Sequence, residues 1–169
     1  MGECQVCGRK LTVRTATKSR PFHYTLSGLP DVYLVDVKVY RCEHCNRESA
    51  AIPRIEELNR SIAAHLAEKH GKLTGPEVRF IRKQAGLSAK EAAAFLALTP
   101  ARLSRVENER EQPLGGPSEQ LVRVLARAAS AGDEPIKTLL TLTTEIRRNA
   151  EDREKKFRLD RNKNRWRAA

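Results

Sequence analysis

Residues Val32–Arg41, VYLVDVKVYR, alternate in character: Val35, Val37 and Val39 fall on one face, with Asp36, Lys38 and Tyr40 on the other. A period of two in β-branched residues predicts a half-buried strand. Leu11–Thr17 repeats the pattern more weakly, and Pro21–Leu26 runs into the turn cluster Ser27–Asp31. Two or three antiparallel strands are expected over residues 1–52. After Ile52 the period changes. Ile55, Leu58, Ile62 and Leu66 recur at helical spacing in Pro53–Lys69, with Pro53 suited to a first turn. This helix is expected to dock on the sheet or on a second subunit. His70–Pro76 holds two glycines and a proline and is expected to be a linker.

The second half is patterned as short helices. Pro76 opens one that carries Val78 and Ile81 inward and stops at Gly86. Ser88 and Glu91 form the capping box of the next, with Ala92, Phe95 and Leu96 inward. Thr99 as N-cap and Pro100 as first residue predict a third, to about Asn108, with Leu103 and Val106 inward and Arg102 and Arg105 outward. Ala93 is small where the turn brings Leu98 close. Two capped helices joined by a short turn follow the helix-turn-helix plan. A helix over Ser118–Ala129 closes the core through Leu121, Val122, Leu125 and Ala128. From Pro135, the residues Ile136, Leu139, Leu140, Leu142 and Ile146 predict one more.

Cysteine usage changes the picture of the first half. The chain has four cysteines, Cys4, Cys7, Cys42 and Cys45, as two C-x2-C pairs separated by 34 residues. Two such knuckles supply four thiolates, the ligand set of a structural, closed tetrahedral Zn²⁺ site. Disulfides and a redox pair are the competing readings. No signal peptide precedes Cys4, so a reducing cytoplasm is expected. His44 lies inside the second knuckle and is the one histidine placed to replace a ligand. About 50 residues bury too little apolar surface to fold alone, so the metal is expected to contribute folding energy.

Charge changes the picture of the second half. The net charge is +11 over 169 residues, and the last 25 residues hold +5 of it. A polyanion, nucleic acid first, is the expected partner. No apolar run nears the roughly 18 residues of a membrane helix. No acidic cluster, Ser/His/Asp set, phosphate-cradling loop or open metal position occurs, so an enzyme is not expected. The third helix would enter the major groove of double-stranded DNA. Arg105, one turn in, suits a bidentate bond to guanine O6 and N7; its competing role is an ion pair with Glu109. Arg102 reaches a base or a phosphate. Lys90, Thr99 and Ser104 suit phosphates, and the Ala101 methyl suits a thymine methyl.

The CxxCG…CxxC ribbon, then LTGPEVRFIRKQAGLS, then KEAAAFLALTPARLSRVENEREQP, resembles the MqsA-type (YgiT-type zinc-finger) antitoxins over about residues 1–130. The second half alone resembles the broader Xre class of helix-turn-helix regulators. The resemblance implies an α+β chain. A small N-terminal β zinc ribbon (1–52) is joined by an amphipathic helix and linker (53–74) to an all-α Xre-type helix-turn-helix and dimerisation domain (75–146). A basic C-terminal tail (147–169), helical or disordered, follows. It implies a homodimer that represses a promoter, often that of its own operon, and in many members binds a partner toxin. The family's ligands fall on Cys4, Cys7, Cys42 and Cys45, and its base-reading arginine on Arg105. Three features depart from the family. Ala101 stands where an asparagine is frequent, Ala89 where a glutamine is frequent, and the basic tail has no family counterpart. A stand-alone regulator without a toxin and a protein-binding adaptor are the alternative functions.

Overall fold

The computed structural model describes residues 2–132 and the backbone of 157–160 and 165–168. The chain divides into two units, Met1–Asp133 and Glu134–Ala169. The first is α+β, with its strands first and its helices after them.

Strands β1 (Thr12–Thr15), β4 (Lys38–Arg41) and β5 (Glu48–Ala51) form an antiparallel sheet in the order β1-β4-β5. Strands β2 (Phe22–His23) and β3 (Tyr33–Leu34) form a second, two-stranded one. The long strand expected over Val32–Arg41 is therefore two. Asp36 takes a left-handed conformation (φ 59°), which aspartate tolerates better than most residues, and breaks the run. Its N–H bonds the Ala16 carbonyl, and the Ala16 N–H bonds the Val37 carbonyl, both at 2.9 Å. Val39 is fully buried while Val35 is exposed, so the three valines do not share one covered face. Strand β5 was not expected from ESAA, a poor strand sequence. It forms because the Cys42–Arg47 turn reverses the chain onto β4, pairing Arg41 with Glu48 and Lys38 with Ala51.

Helix α1 (Ile55–Glu68) starts after Arg54, which is left-handed. It packs on α5 (Gly116–Ala131) and α2 (Gly75–Gln84), rather than on the sheet, and buries Ala63, Leu66 and Ala67. Ile55 stays exposed. The His70–Pro76 segment expected as a linker is tied down. Leu73 is fully buried, and its N–H bonds the Glu119 carboxylate. Arg123 donates to the carbonyls of Ala67, Lys69 and Gly71, which satisfies the open C-terminal end of α1. Thr74 and Glu77 form a capping box that starts α2.

Helices α3 (Ala89–Phe95) and α4 (Pro100–Glu107) begin at the predicted caps, Ser88 and Thr99. Three successive helices then end in the same way. Gly86 (φ 69°), Ala97 (φ 54°) and Glu109 (φ 56°) each turn left-handed just past α2, α3 and α4. The next N–H reaches back: Leu87 to Arg82, Leu98 to Ala93 and Arg110 to Arg105, at 3.1, 2.8 and 2.8 Å. This pairing is the Schellman motif, and only the first of the three has the favoured glycine. Gly75 has a different constraint: a Cβ there would collide with the Val106 carbonyl, so α2 touches the end of α4 through bare backbone.

Ile81, Val78, Leu103, Val106, Val122, Leu125, Ala92, Ala93 and Leu96 are buried together with Leu73 in the helical core. Fully burying one such aliphatic side chain contributes about 1.5–3 kcal/mol. Inside this shell sits Glu107, only 5% exposed. Arg82 meets it with two hydrogen bonds, Nε to Oε1 at 2.6 Å and Nη2 to Oε2 at 2.9 Å, and Arg79 lies 3.5 Å away. The Glu107 carboxylate raises the pKa of Arg82, against the pull of burial.

The helix expected from Pro135 to Ile146 lies outside the described residues. In the tail, Phe157–Asp160 (β6) and Arg165–Ala168 (β7) pair as antiparallel strands, with Phe157 opposite Ala168. These eight residues of the tail expected to be helical or disordered are strands, and the rest of it lies outside the described residues; FRLD alternates apolar and polar residues at period two.

Two substitutions test these assignments by denaturant unfolding. Glu107→Gln leaves buried arginine charge unpaired and should lower stability by about 3 kcal/mol; a change under about 1 kcal/mol would contradict the pairing. Ala97→Gly relieves a left-handed alanine and should raise stability by about 0.5–1 kcal/mol, whereas a loss would contradict the turn geometry.

Candidate metal centre and nucleic-acid interface

The two knuckles, CQVCGR and CEHCNR, fold alike. The first cysteine N–H of each bonds the carbonyl five residues on: Cys4 to Arg9 at 2.8 Å and Cys42 to Arg47 at 2.9 Å. The residue after the second cysteine is left-handed in both, Gly8 at φ 69° and Asn46 at φ 55°. Each turn aims backbone N–H groups at sulfur, which favours thiolate. Antiparallel pairing of β1 with β4 then brings the knuckles together.

Cys4 Sγ lies 3.5 Å from Cys45 Sγ, and Cys7 Sγ 3.4 Å from Cys42 Sγ. All four sulfurs lie within 4.8 Å of one another, with no histidine in the group. A tetrahedral ion with sulfur at about 2.3 Å sets sulfurs about 3.8 Å apart, so the cluster can hold a metal ion. None of the four cysteines is joined in a disulfide. His44 is not a ligand in this set. The proton distribution points the same way. N–H groups of Val6 and Cys7 pull Cys4 down to about 6. The Cys45 N–H also lowers Cys42 from the ordinary thiol range. For Cys7 the Arg9 N–H favours thiolate, but the Cys42 sulfur, burial and the other sulfurs outweigh it and push the thiol up to about 11. For Cys45 the Arg47 N–H is likewise outweighed by burial and by Cys42 and Cys4. Crowding by the other sulfurs thus disfavours the thiolate at the second cysteine of each knuckle. A divalent cation bound there would offset that repulsion and favour four thiolates.

The other candidate residues lie around α3 and α4. Lys90 is the second residue of α3 and exposed. Thr99 caps α4, its hydroxyl accepting the Arg102 N–H at 3.2 Å. Ala101, Arg102, Ser104 and Arg105 are exposed, opposite buried Leu103 and Val106. The Ser104 carbonyl accepts from the Asn108 amide at 2.6 Å. The ion pair weighed between Arg105 and Glu109 does not form. Both arginines meet Glu111 instead: Arg102 Nε is 3.4 Å and Arg105 Nε 2.9 Å from its oxygens. The sequence reading missed Glu111 because its position depends on the left-handed turn at Glu109. It missed Arg82–Glu107 because the partners lie on different helices.

A scan against protein-family models and searches of curated proteins and of solved structures return no match for this chain.

The four-sulfur geometry predicts one thiolate-bound divalent ion per chain by native mass spectrometry. Cys7→Ser with Cys45→Ser should abolish it. Acidification should release it, because protons compete for the thiolates. Stoichiometric retention in the double variant would contradict the site.

Proposed function

We propose that the chain is a sequence-specific DNA-binding transcriptional repressor. In this reading residues 1–52 form a zinc ribbon stapled by Zn²⁺ on Cys4, Cys7, Cys42 and Cys45. Helices α3 and α4 form a helix-turn-helix of Xre type, with α4 lying in the major groove. The observation that carries it is α4 itself: capped by Thr99, held to the core by Leu103 and Val106, and presenting Arg102 and Arg105 outward. A helix packed by one face and offering arginines from the other suits base edges. The net charge of +11 supports a polyanionic partner.

Arg105 reads guanine, and Arg102 a neighbouring base or phosphate. Lys90, Thr99 and Ser104 meet the backbone, and Ala101 a thymine methyl. The zinc is structural, since four thiolates leave no open coordination position, and the chain is not an enzyme. The repressor acts as a cytoplasmic homodimer on half-sites about one helical turn apart. The resemblance to MqsA-type antitoxins extends this to neutralising a toxin and repressing its own operon. Val13, Tyr33 and Val35 are exposed on the β module and give a protein partner apolar surface.

A second reading is a protein-binding adaptor that retains the fold without reading DNA. One observation favours it: both outward arginines of α4 are already paired with Glu111. Selection from a random duplex library separates the two. The repressor enriches a defined sequence, and Arg105→Ala lowers its preference for that sequence roughly tenfold to a hundredfold while leaving weak, salt-sensitive binding. A variant with unchanged preference would remove Arg105 as the reader, and a chain that enriches nothing would favour the adaptor.

A further inference from the structure

The turn after α4 does more than end the helix. With Glu109 left-handed and the Arg110 N–H on the Arg105 carbonyl at 2.8 Å, the chain reverses. Glu111 comes back against the helix face that the proposed function assigns to DNA. Its two oxygens are divided between two arginines: Oε1 lies 3.4 Å from Arg102 Nε, and Oε2 lies 2.9 Å from Arg105 Nε. A guanidinium carries one N–H on Nε and four on its terminal nitrogens. The closest approach is through the inner nitrogen in both; Arg105 makes its hydrogen bond to Glu111 from Nε, which leaves its terminal fork for a base edge, while Arg102 is held by a looser ion pair.

We infer that Glu111 is a positioning residue for DNA readout, holding Arg105 by a hydrogen bond at Nε and Arg102 by an ion pair, with the terminal fork of Arg105 left for guanine. The inference rests on reading α4 as the DNA-contacting helix. Two physical effects follow from the one carboxylate. First, an arginine already ordered loses less rotamer freedom when it binds. Second, an arginine that swings to a phosphate leaves the carboxylate facing the phosphate, and like charges repel. Glu111 therefore weakens sequence-independent binding, which is carried by phosphate contacts. The hold does not block the arginines. Their side chains are 55% and 53% exposed, and exposed pairs of this kind bias orientation by about fivefold at most.

The test uses the full chain and two probes, a duplex enriched from a random library by the wild type and a random-sequence duplex. Glu111→Gln should bind the random duplex about fivefold tighter and the enriched duplex no tighter, so the ratio between them falls. Glu111→Asp, which keeps the charge, should retain weak random-duplex binding. In an Arg105→Ala background, Glu111→Gln should change the ratio less than it does in the wild type. A merely structural tie between turn and helix would instead lower the melting temperature and leave the ratio unchanged, and that result overturns the inference. A wild-type chain that enriches no sequence overturns the DNA reading itself, whereas enrichment with an unaltered ratio in Glu111→Gln overturns only the role of Glu111.

Discussion

Glu107 is a carboxylate almost shut off from water, and the placement of α4 follows from how its charge is met. Arg82 on α2 supplies a two-pronged fork to it, and Arg79 adds a second cation. Such a pair adds little net stability, because desolvation offsets most of the attraction. It adds direction, since a fork and a carboxylate fit in one plane and at one distance. With α4 held there, and with Gly75 allowing α2 to touch its end, Leu103 and Val106 face inward. The opposite face carries exposed Arg102 and Arg105, with Glu111 beside them. What α4 offers a partner is thus set by a contact on its other side.

The β module depends on a different economy. Its buried residues are few, Ala16, Tyr24, Leu29, Leu34, Val39 and Cys42 among them. A sheet of four-residue strands with so small an interior needs a staple. Each knuckle prepares its sulfurs locally through a left-handed residue and backbone N–H groups, and the strand pairing gathers the two sets. Crowding raises the Cys7 and Cys45 thiols, an electrostatic cost that a cation bound among the sulfurs would offset.

What was legible in the sequence was mostly local. Ser88 with Glu91, Thr99 with Pro100, and the stop at Gly86 lie within a few residues of the ends they define, and all three stand as expected. The paired cysteines were legible because two short spacings repeat. The helical core was legible through its period, at Val78, Ile81, Leu103, Val106, Val122 and Leu125. What was hidden required distant partners. Arg123 clamps carbonyls more than fifty positions away, which turns an apparent linker into a fixed segment. Asp36 interrupts a valine pattern that reads as continuous, because a left-handed aspartate leaves no mark in hydropathy. Strand β5 exists through its pairing with β4 and not through its own residues. Glu111 stands six residues beyond Arg105 and reaches it only after a reversal that glycine would have advertised and glutamate does not.

Amide chemical-shift mapping during titration with an enriched DNA duplex tests the central claim most directly. The account predicts that the largest shifts fall at the start of α3 and along α4, from Ser88 to Arg105, with the side-chain Nε–H signals of Arg102 and Arg105 among them. Shifts confined to the β strands, or no shifts at all at saturating duplex, would contradict it.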